Sequence, residues 1–169
     1  MSAANARERE PQFNAIVALG SNIGDKAGNI ARAVELLCAE GDVTAVKRSR
    51  NYRTPPWGKT DQDWFVNACV SVATELSPHE LLRRCLDVEN RMGRERTEKW
   101  GPRVIDLDVL VYVGVEMSDK ELVLPHPHIT ARAFVLAPLA DVAPDYKING
   151  RTVKEWLAEI DAAGVTPID

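Results

Sequence analysis

Val104-Ile-Asp-Leu-Asp-Val-Leu-Val-Tyr112 alternates apolar and polar residues over its first half, the period of a β-strand whose successive side chains point to opposite faces. Ile105, Leu107, Val109 and Val111 are expected on one face, and Asp106 and Asp108 on the other. Outward from this strand, Ser77, Pro78 and Glu80 announce a helix as N-cap, first-turn proline and capping-box partner. Its apolar positions run through Leu81, Leu82, Cys85, Leu86, Val88 and Met92. Phe65 to Thr74 alternates again, with Val66, Ala68, Val70 and Val72 on one side. Val43 to Arg53 reads as extended, and Ile30, Val34 and Leu37 stripe a helix that stops at Gly41. Phe13 to Leu19 is an apolar run suited to a strand buried on both faces. The order is therefore β-α-β-β-α-β, an α+β, ferredoxin-like arrangement in which an antiparallel sheet carries helices on one face. A C-terminal extension follows, with a short hairpin through Glu121 to Leu124, a Pro/His loop from Pro125 to His128, a helical stretch near Ala131 to Ala140 and a last helix capped by Thr152 with Glu155.

The 169 residues, 45% of them hydrophobic and 27% charged, have the composition of one globular domain. Residues 1–12 are polar and charged and read as a flexible tail, so the domain is expected over 13–169. A net charge of −4 argues against nucleic acid as a partner, because phosphate backbones demand a broad basic surface. The longest apolar stretch is interrupted by Asp106 and Asp108 and is too short to span a membrane. Three cysteines, without CxxC or Cys/His ligand spacing, suit reduced thiols in a cytoplasm.

Two carboxylates at i and i+2 of a strand point the same way with Cα atoms about 7 Å apart. Asp106 and Asp108 repel each other on a solvated sheet face, or share a divalent cation. Mg²⁺ suits the second case, since it takes one or two carboxylates together with phosphate and water oxygens. The segment just before the strand, Arg91 to Arg103, carries five basic residues and two acidic ones, with Gly93, Gly101 and Pro102 as bend points for a loop that closes over a ligand. Guanidinium groups grip phosphates bidentately. Carboxylates for a metal and arginines for phosphates thus adjoin, the signature of a polyphosphate site. Glu89 falls inside the apolar arc of its helix, so its carboxylate must be hydrogen-bonded or paired, either bracing an arginine or meeting the ligand. Trp57, Trp64, Phe65, Asn67 and Phe134 gather flat side chains and an amide suited to a planar heterocycle.

Ala18-Leu-Gly-Ser-Asn22, Tyr52-Arg-Thr-Pro-Pro56, Phe65-Val-Asn-Ala68, Trp100-Gly-Pro-Arg-Val-Ile-Asp-Leu-Asp-Val-Leu110, Leu124-Pro-His-Pro127 and Arg132-Ala-Phe134 together resemble the 6-hydroxymethyl-7,8-dihydropterin pyrophosphokinases of folate biosynthesis. The resemblance implies a cytoplasmic, usually monomeric enzyme that moves the terminal pyrophosphoryl group of ATP to the pterin hydroxymethyl group and releases AMP. It implies two Mg²⁺ on Asp106 and Asp108, with Arg94 and Arg103 catalytic beside them. It places Glu89, Arg94, Arg96, Trp100, Arg103, Ile105, His126 and Arg132 at ATP. Gly20, Thr54, Pro55, Trp57, Phe65, Asn67, Trp100 and Phe134 would line the pterin pocket. The partners implied are these two small molecules, with neither nucleic acid nor membrane. Two other readings stand beside it: a Mg-dependent phospho- or nucleotidyltransferase acting on another flat heterocycle, and a non-catalytic ferredoxin-like binding module. No GxxxxGK[ST] loop is present, which excludes a P-loop kinase.

Overall fold

The structure, a computed structural model, describes residues 12–56, 61–93 and 104–168. The tail read over residues 1–12 lies, but for Gln12, outside them. Strand β1 (Ala15–Ser21) is the hub. It pairs antiparallel with β4 (Phe65–Thr74) on one side and with β5 (Asp106–Tyr112) on the other. Beyond β4 come β2 (Val43–Arg48) and β3 (Tyr52–Thr54), and outermost β10 (Thr166–Pro167), also antiparallel.

Helices α1 (Lys26–Cys38) and α2 (Pro78–Arg91) cover one face, as the core order requires. Their contact is a cluster that includes Val17, Leu19, Ile30, Leu37, Val70, Leu81 and Val88. The C-terminal extension supplies the other face with α3 (Ala133–Val142) and α4 (Val153–Glu159), packed on Ile16, Cys69 and Leu110 through Leu136, Leu139 and Val153. This second layer is why β1 is apolar at every position from Ala15 to Leu19. Both expected capping boxes form, at Ser77 with Glu80 and at Thr152 with Glu155. Arg84 ties α2 to the end of α1, donating to Asp42 and Glu40 at 2.8 Å and to the Leu37 carbonyl at 3.2 Å. Cys69 and Cys85 are buried, and burial pushes both thiols up, so neither ionises readily.

Three stretches differ from the alternation read in the sequence. Val111 does not share a face with Leu107 and Val109. The register against β1 slips between Ile16 and Val17, so Leu110 is an extra residue, and Leu110 and Val111 both join the α3 layer. The segment 43–53 is two strands, because Ser49 turns inward: its hydroxyl accepts from the Cys69 N–H at 2.8 Å, its own N–H donates to the Cys69 carbonyl at 2.9 Å, and the chain bends there. The extension also holds strands β6 (Met117–Ser118) and β7 (Val123–Leu124), whose hairpin starts at Met117, before the expected Glu121, and a second hairpin of β8 (Lys147–Ile148) with β9 (Arg151–Thr152). The latter turns on Asn149 and Gly150, both at positive φ, as a tight hairpin turn requires.

Asp141 near the end of α3 fastens that helix to the sheet edge. Arg50 donates to it from its backbone N–H at 3.1 Å and from its guanidinium at 3.2 Å, and the Tyr52 hydroxyl donates at 2.9 Å. Burial pushes the Asp141 carboxyl up, but the Arg50 and Tyr52 hydrogen bonds outweigh it and hold the group below the ordinary carboxylate range. Its contribution is then complete above the unfolded value of about 3.9 and lost as pH falls through the lower folded value. Asp141→Ala should cost about 1–3 kcal/mol in urea unfolding at neutral pH, and the gap from the parent protein should shrink on acidification below that range.

Candidate active site

The pairing of β1 sets the site. Gly20 lies opposite Asn67 on β4 and opposite Asp106 on β5, and Ala18 lies opposite Asp108. Asn67, Gly20 and Asp106 therefore form one row across three strands on the face that α3 covers, and successive strands are about 4.8 Å apart, so the outer two stand about 10 Å apart. α3 begins at Ala133 and leaves this end of the sheet open. The opening is a cleft of about 400 Å³ lined by Gly20, Thr54, Pro55, Phe65, Asn67, Glu89, Asp106, Asp108, His126, Arg132 and Phe134.

At one end the lining is an amide among flat or small groups. The Asn67 carboxamide donates to the Thr54 hydroxyl at 2.6 Å, which fixes its orientation. A Cβ on Gly20 would sit 2.6 Å from Asn67 Oδ1, so only glycine leaves that oxygen its place over the floor. Phe65, opposite Thr54 in the sheet, stands at this end, and Phe134 also lines the cleft. Trp64, grouped with these rings in the sequence, is not among the lining residues. It lies between Lys26, whose Nζ is 3.4 Å from the ring centroid, and Arg53, whose guanidinium carbon is 4.6 Å away. Lys26 also pairs with Asp63 at 2.8 Å, so this group anchors the chain that leads into Phe65.

At the other end stand the carboxylates. Asp106 and Asp108 are half-buried, on one face as the alternation predicts. Glu89, 1% exposed, accepts the Leu107 N–H at 2.9 Å. The buried carboxylate on α2 thus grips the backbone between the two aspartates. Leu110, released by the bulge, accepts the His126 N–H at 2.8 Å and so seats the Pro/His loop beside them. The His126 Nδ1 accepts from the His128 N–H at 3.3 Å, which leaves the ring proton on Nε2. Burial, with Arg132 and His128 adding to it, pushes His126 down to about 4. Arg132 is 9% exposed; burial lowers its guanidinium, and Asp108 and Asp106 oppose that shift, while arginine stays charged throughout the ordinary range.

The structure thus brings eleven of the sequence-assigned residues to one cleft. Ile105 is wholly buried in the α1/α2 core and is not among the lining residues. Trp57, Arg94, Arg96, Trp100 and Arg103 lie outside the described residues. Leu82, Leu86, His128 and Val135 line the cleft without having been singled out. Leu82 and Leu86 are the half-buried i, i+4 pair of α2, a distinction that an apolar stripe does not reveal.

A family model, 7,8-dihydro-6-hydroxymethylpterin-pyrophosphokinase (HPPK), matches residues 16–144. The chain belongs to the HPPK family. It is thereby an enzyme, a pyrophosphokinase with a hydroxymethyldihydropterin as acceptor. It is 56% identical over 155 residues to the 2-amino-4-hydroxy-6-hydroxymethyldihydropteridine pyrophosphokinase of Methylorubrum extorquens, covering 92% of this chain and 98% of that relative. The Bacillus subtilis protein of the same name is 41% identical over 151 residues, or 89% of this chain and 87% of the relative. Among solved structures, a Plasmodium falciparum HPPK-DHPS superposes with a TM-score of 0.72 at 17% identity, over 96% of this chain; the chain spans about half, 50%, of that longer polypeptide. That likeness supports the ferredoxin-like fold.

NMR titration of the free protein should find His126 neutral from pH 7 downward, taking up its proton only near 4. A folded value depressed below the unfolded ~6.5 means that stability erodes as pH falls from about 6.5 towards the folded value. A His126 midpoint at 6.5 or above would contradict the burial seen here.

Proposed function

We propose that the cleft binds ATP and 6-hydroxymethyl-7,8-dihydropterin together and transfers the terminal pyrophosphoryl group to the pterin hydroxymethyl oxygen, releasing AMP for folate biosynthesis. One observation carries this reading: the row Asn67–Gly20–Asp106. It sets a heterocycle-binding amide about 10 Å from a carboxylate pair, the scale of a bicyclic ring whose hydroxymethyl arm reaches a phosphate. The pterin edge would pair with the Asn67 carboxamide and the ring would lie between Phe65 and Phe134, with Thr54 and Pro55 as wall. Trp57 and Trp100 join this pocket on sequence grounds.

The donor set fits Mg²⁺. Asp106 and Asp108 offer hard oxygens on one face of one strand, and among the described residues no group of three or more His, Cys, Asp or Glu side chains forms a metal cage. Two carboxylates completed by phosphate and water are how Mg²⁺ is commonly held in nucleotide enzymes. Two ions bound there would neutralise charge on the β- and γ-phosphate oxygens and polarise the phosphorus under attack. Glu89 keeps the Asp106–Asp108 backbone in place. Arg132 and the Nε2–H of His126 would donate to phosphate oxygens, the histidine as a neutral donor. Arg94, Arg96 and Arg103, in the segment leading to β5, would add charge as AMP departs.

The hydroxymethyl oxygen attacks the β-phosphorus in line; the new O–P bond forms as the bond from that phosphorus to the α,β-bridging oxygen breaks, leaving AMP. In a loose transition state the alcohol proton leaves late. The acceleration then comes from alignment and from donors fixed in advance around developing charge. No helix among the described residues is long and apolar enough to cross a membrane, and the reading extends to a cytoplasmic monomer acting on two small molecules.

Purified protein given ATP, Mg²⁺ and 6-hydroxymethyl-7,8-dihydropterin should form AMP and pterin diphosphate in equal amounts. ADP as the product would mark an ordinary kinase. Chelation should abolish turnover and Mg²⁺ restore it, and Asp106→Ala or Asp108→Ala should lower kcat by about 10³-fold or more with little change in melting. Asn67→Ala should act on the other end, raising the pterin KM by about 10-fold while the ATP KM holds.

A further inference from the structure

The wall of the pterin end is built from two distant pieces of chain. β3 is only Tyr52–Thr54, and its outer edge is covered by β10, with Thr166 opposite Arg53 and Pro167 opposite Tyr52. The Ile168 N–H donates to the Asn51 carbonyl at 3.0 Å. Bonded and non-bonded pairs alternate along an antiparallel ladder, so Thr166 and Arg53 are the next bonded pair. Pro167 falls between them, where a missing N–H removes no ladder bond. Two residues before β10, Gly164 has φ +83°, and a Cβ built on it would lie 3.5 Å from Pro55 Cδ and 3.6 Å from Cγ. Gly164 therefore faces the Pro55 ring across about the width of one methyl group. On the other side of this wall is the cleft, lined by Thr54 and Pro55, and the Thr54 hydroxyl is the acceptor that orients Asn67.

We propose that residues 162–168 are a strap whose role is positioning: by pairing with β3 and backing Pro55, they hold Thr54 and Pro55 in register with Asn67 and so set pterin affinity. The proposal rests on the assignment of this end of the cleft to the pterin. A three-residue strand paired along one edge alone opens by local unfolding at small cost. The strap supplies its second edge. None of the residues 162–168 lines the cleft, so their effect passes through β3, and the carboxylate end stands on β5, two strands beyond β4.

Thr166→Pro in the full-length chain removes one ladder donor while keeping the segment's length. Backbone hydrogen exchange at Arg53 and Thr54, followed without substrates, should quicken. The pterin KM should rise roughly 3- to 10-fold, the worth of about one hydrogen bond, while the ATP KM and kcat stay at parental values. Pro167→Ala, at the non-bonded position, should leave all of these unchanged. Gly164→Ala, which strains a positive-φ residue and aims the new methyl at the Pro55 ring, should repeat the pterin effect and decides the matter if Thr166→Pro fails to fold. Quickened exchange at β3 with an unchanged pterin KM, or an equal rise in both KM values, would overturn the strap. Failure of the parent protein to use the pterin at all would instead overturn the functional assignment, because the exchange measurement does not depend on substrate.

Discussion

Gly20 is the residue around which the site is arranged. A strand paired on both edges delivers its neighbours' side chains to fixed places, and β1 is such a strand, with Asn67 to one side and Asp106 to the other. Any side chain between them would fill the floor of the cleft and strike the carboxamide. Ala18, the next position on this face, is the smallest side chain and sits opposite Asp108. Elsewhere along β1 the same face carries Ile16, packed under α3. Small residues at one end and a large one at the other decide where α3 closes against the sheet and where it leaves a cavity.

Much of this architecture was legible in sequence because it rests on local rules. The capping residues of α2 and α4 and the alternation at Asp106–Asp108 are set by hydrogen bonds and periods a few residues long. Glu89 was legible as an anomaly, a charge in an apolar arc, though its partner was not: the Leu107 N–H lies on another element. The bulge at Leu110 was hidden because an apolar residue suits either face when both are covered. The break at Ser49 depends on a pairing with Cys69 that only the sheet supplies. Asn149-Gly150 carried a hairpin signal in its own right, whereas β10, two residues with a proline, carries none and exists through β3. Of the site, the motifs identified chemistry, while the apolar lining from Leu82 and Leu86 follows from helix orientation against β5.

The bulge connects the fold to the chemistry. Regular pairing would have placed Leu110 and Val111 on opposite faces of β5; the extra residue sends both into the α3 layer and leaves the Leu110 carbonyl to accept from His126. An edge strand normally exposes such groups. Here the edge is used to dock the Pro/His loop, and His126 and Arg132 reach the carboxylate end from it. Covering the edge and completing the site are one event.

Charge explains why these groups stand together. Asp106, Asp108 and Glu89 all line one cleft, and the two aspartates act on the Arg132 guanidinium there. His126, held neutral by burial, adds hydrogen-bonding capacity without charge. A polyphosphate entering this set brings further negative charge, so it is repelled by the aspartates unless cations accompany it, and those cations are what the aspartates are suited to hold. The buried Glu89 accepts from the Leu107 amide and so holds the backbone between the pair. On the proposed reading, the fixed anions, the cations and the anionic substrate would balance only when all are present, around donors already held in place by the fold.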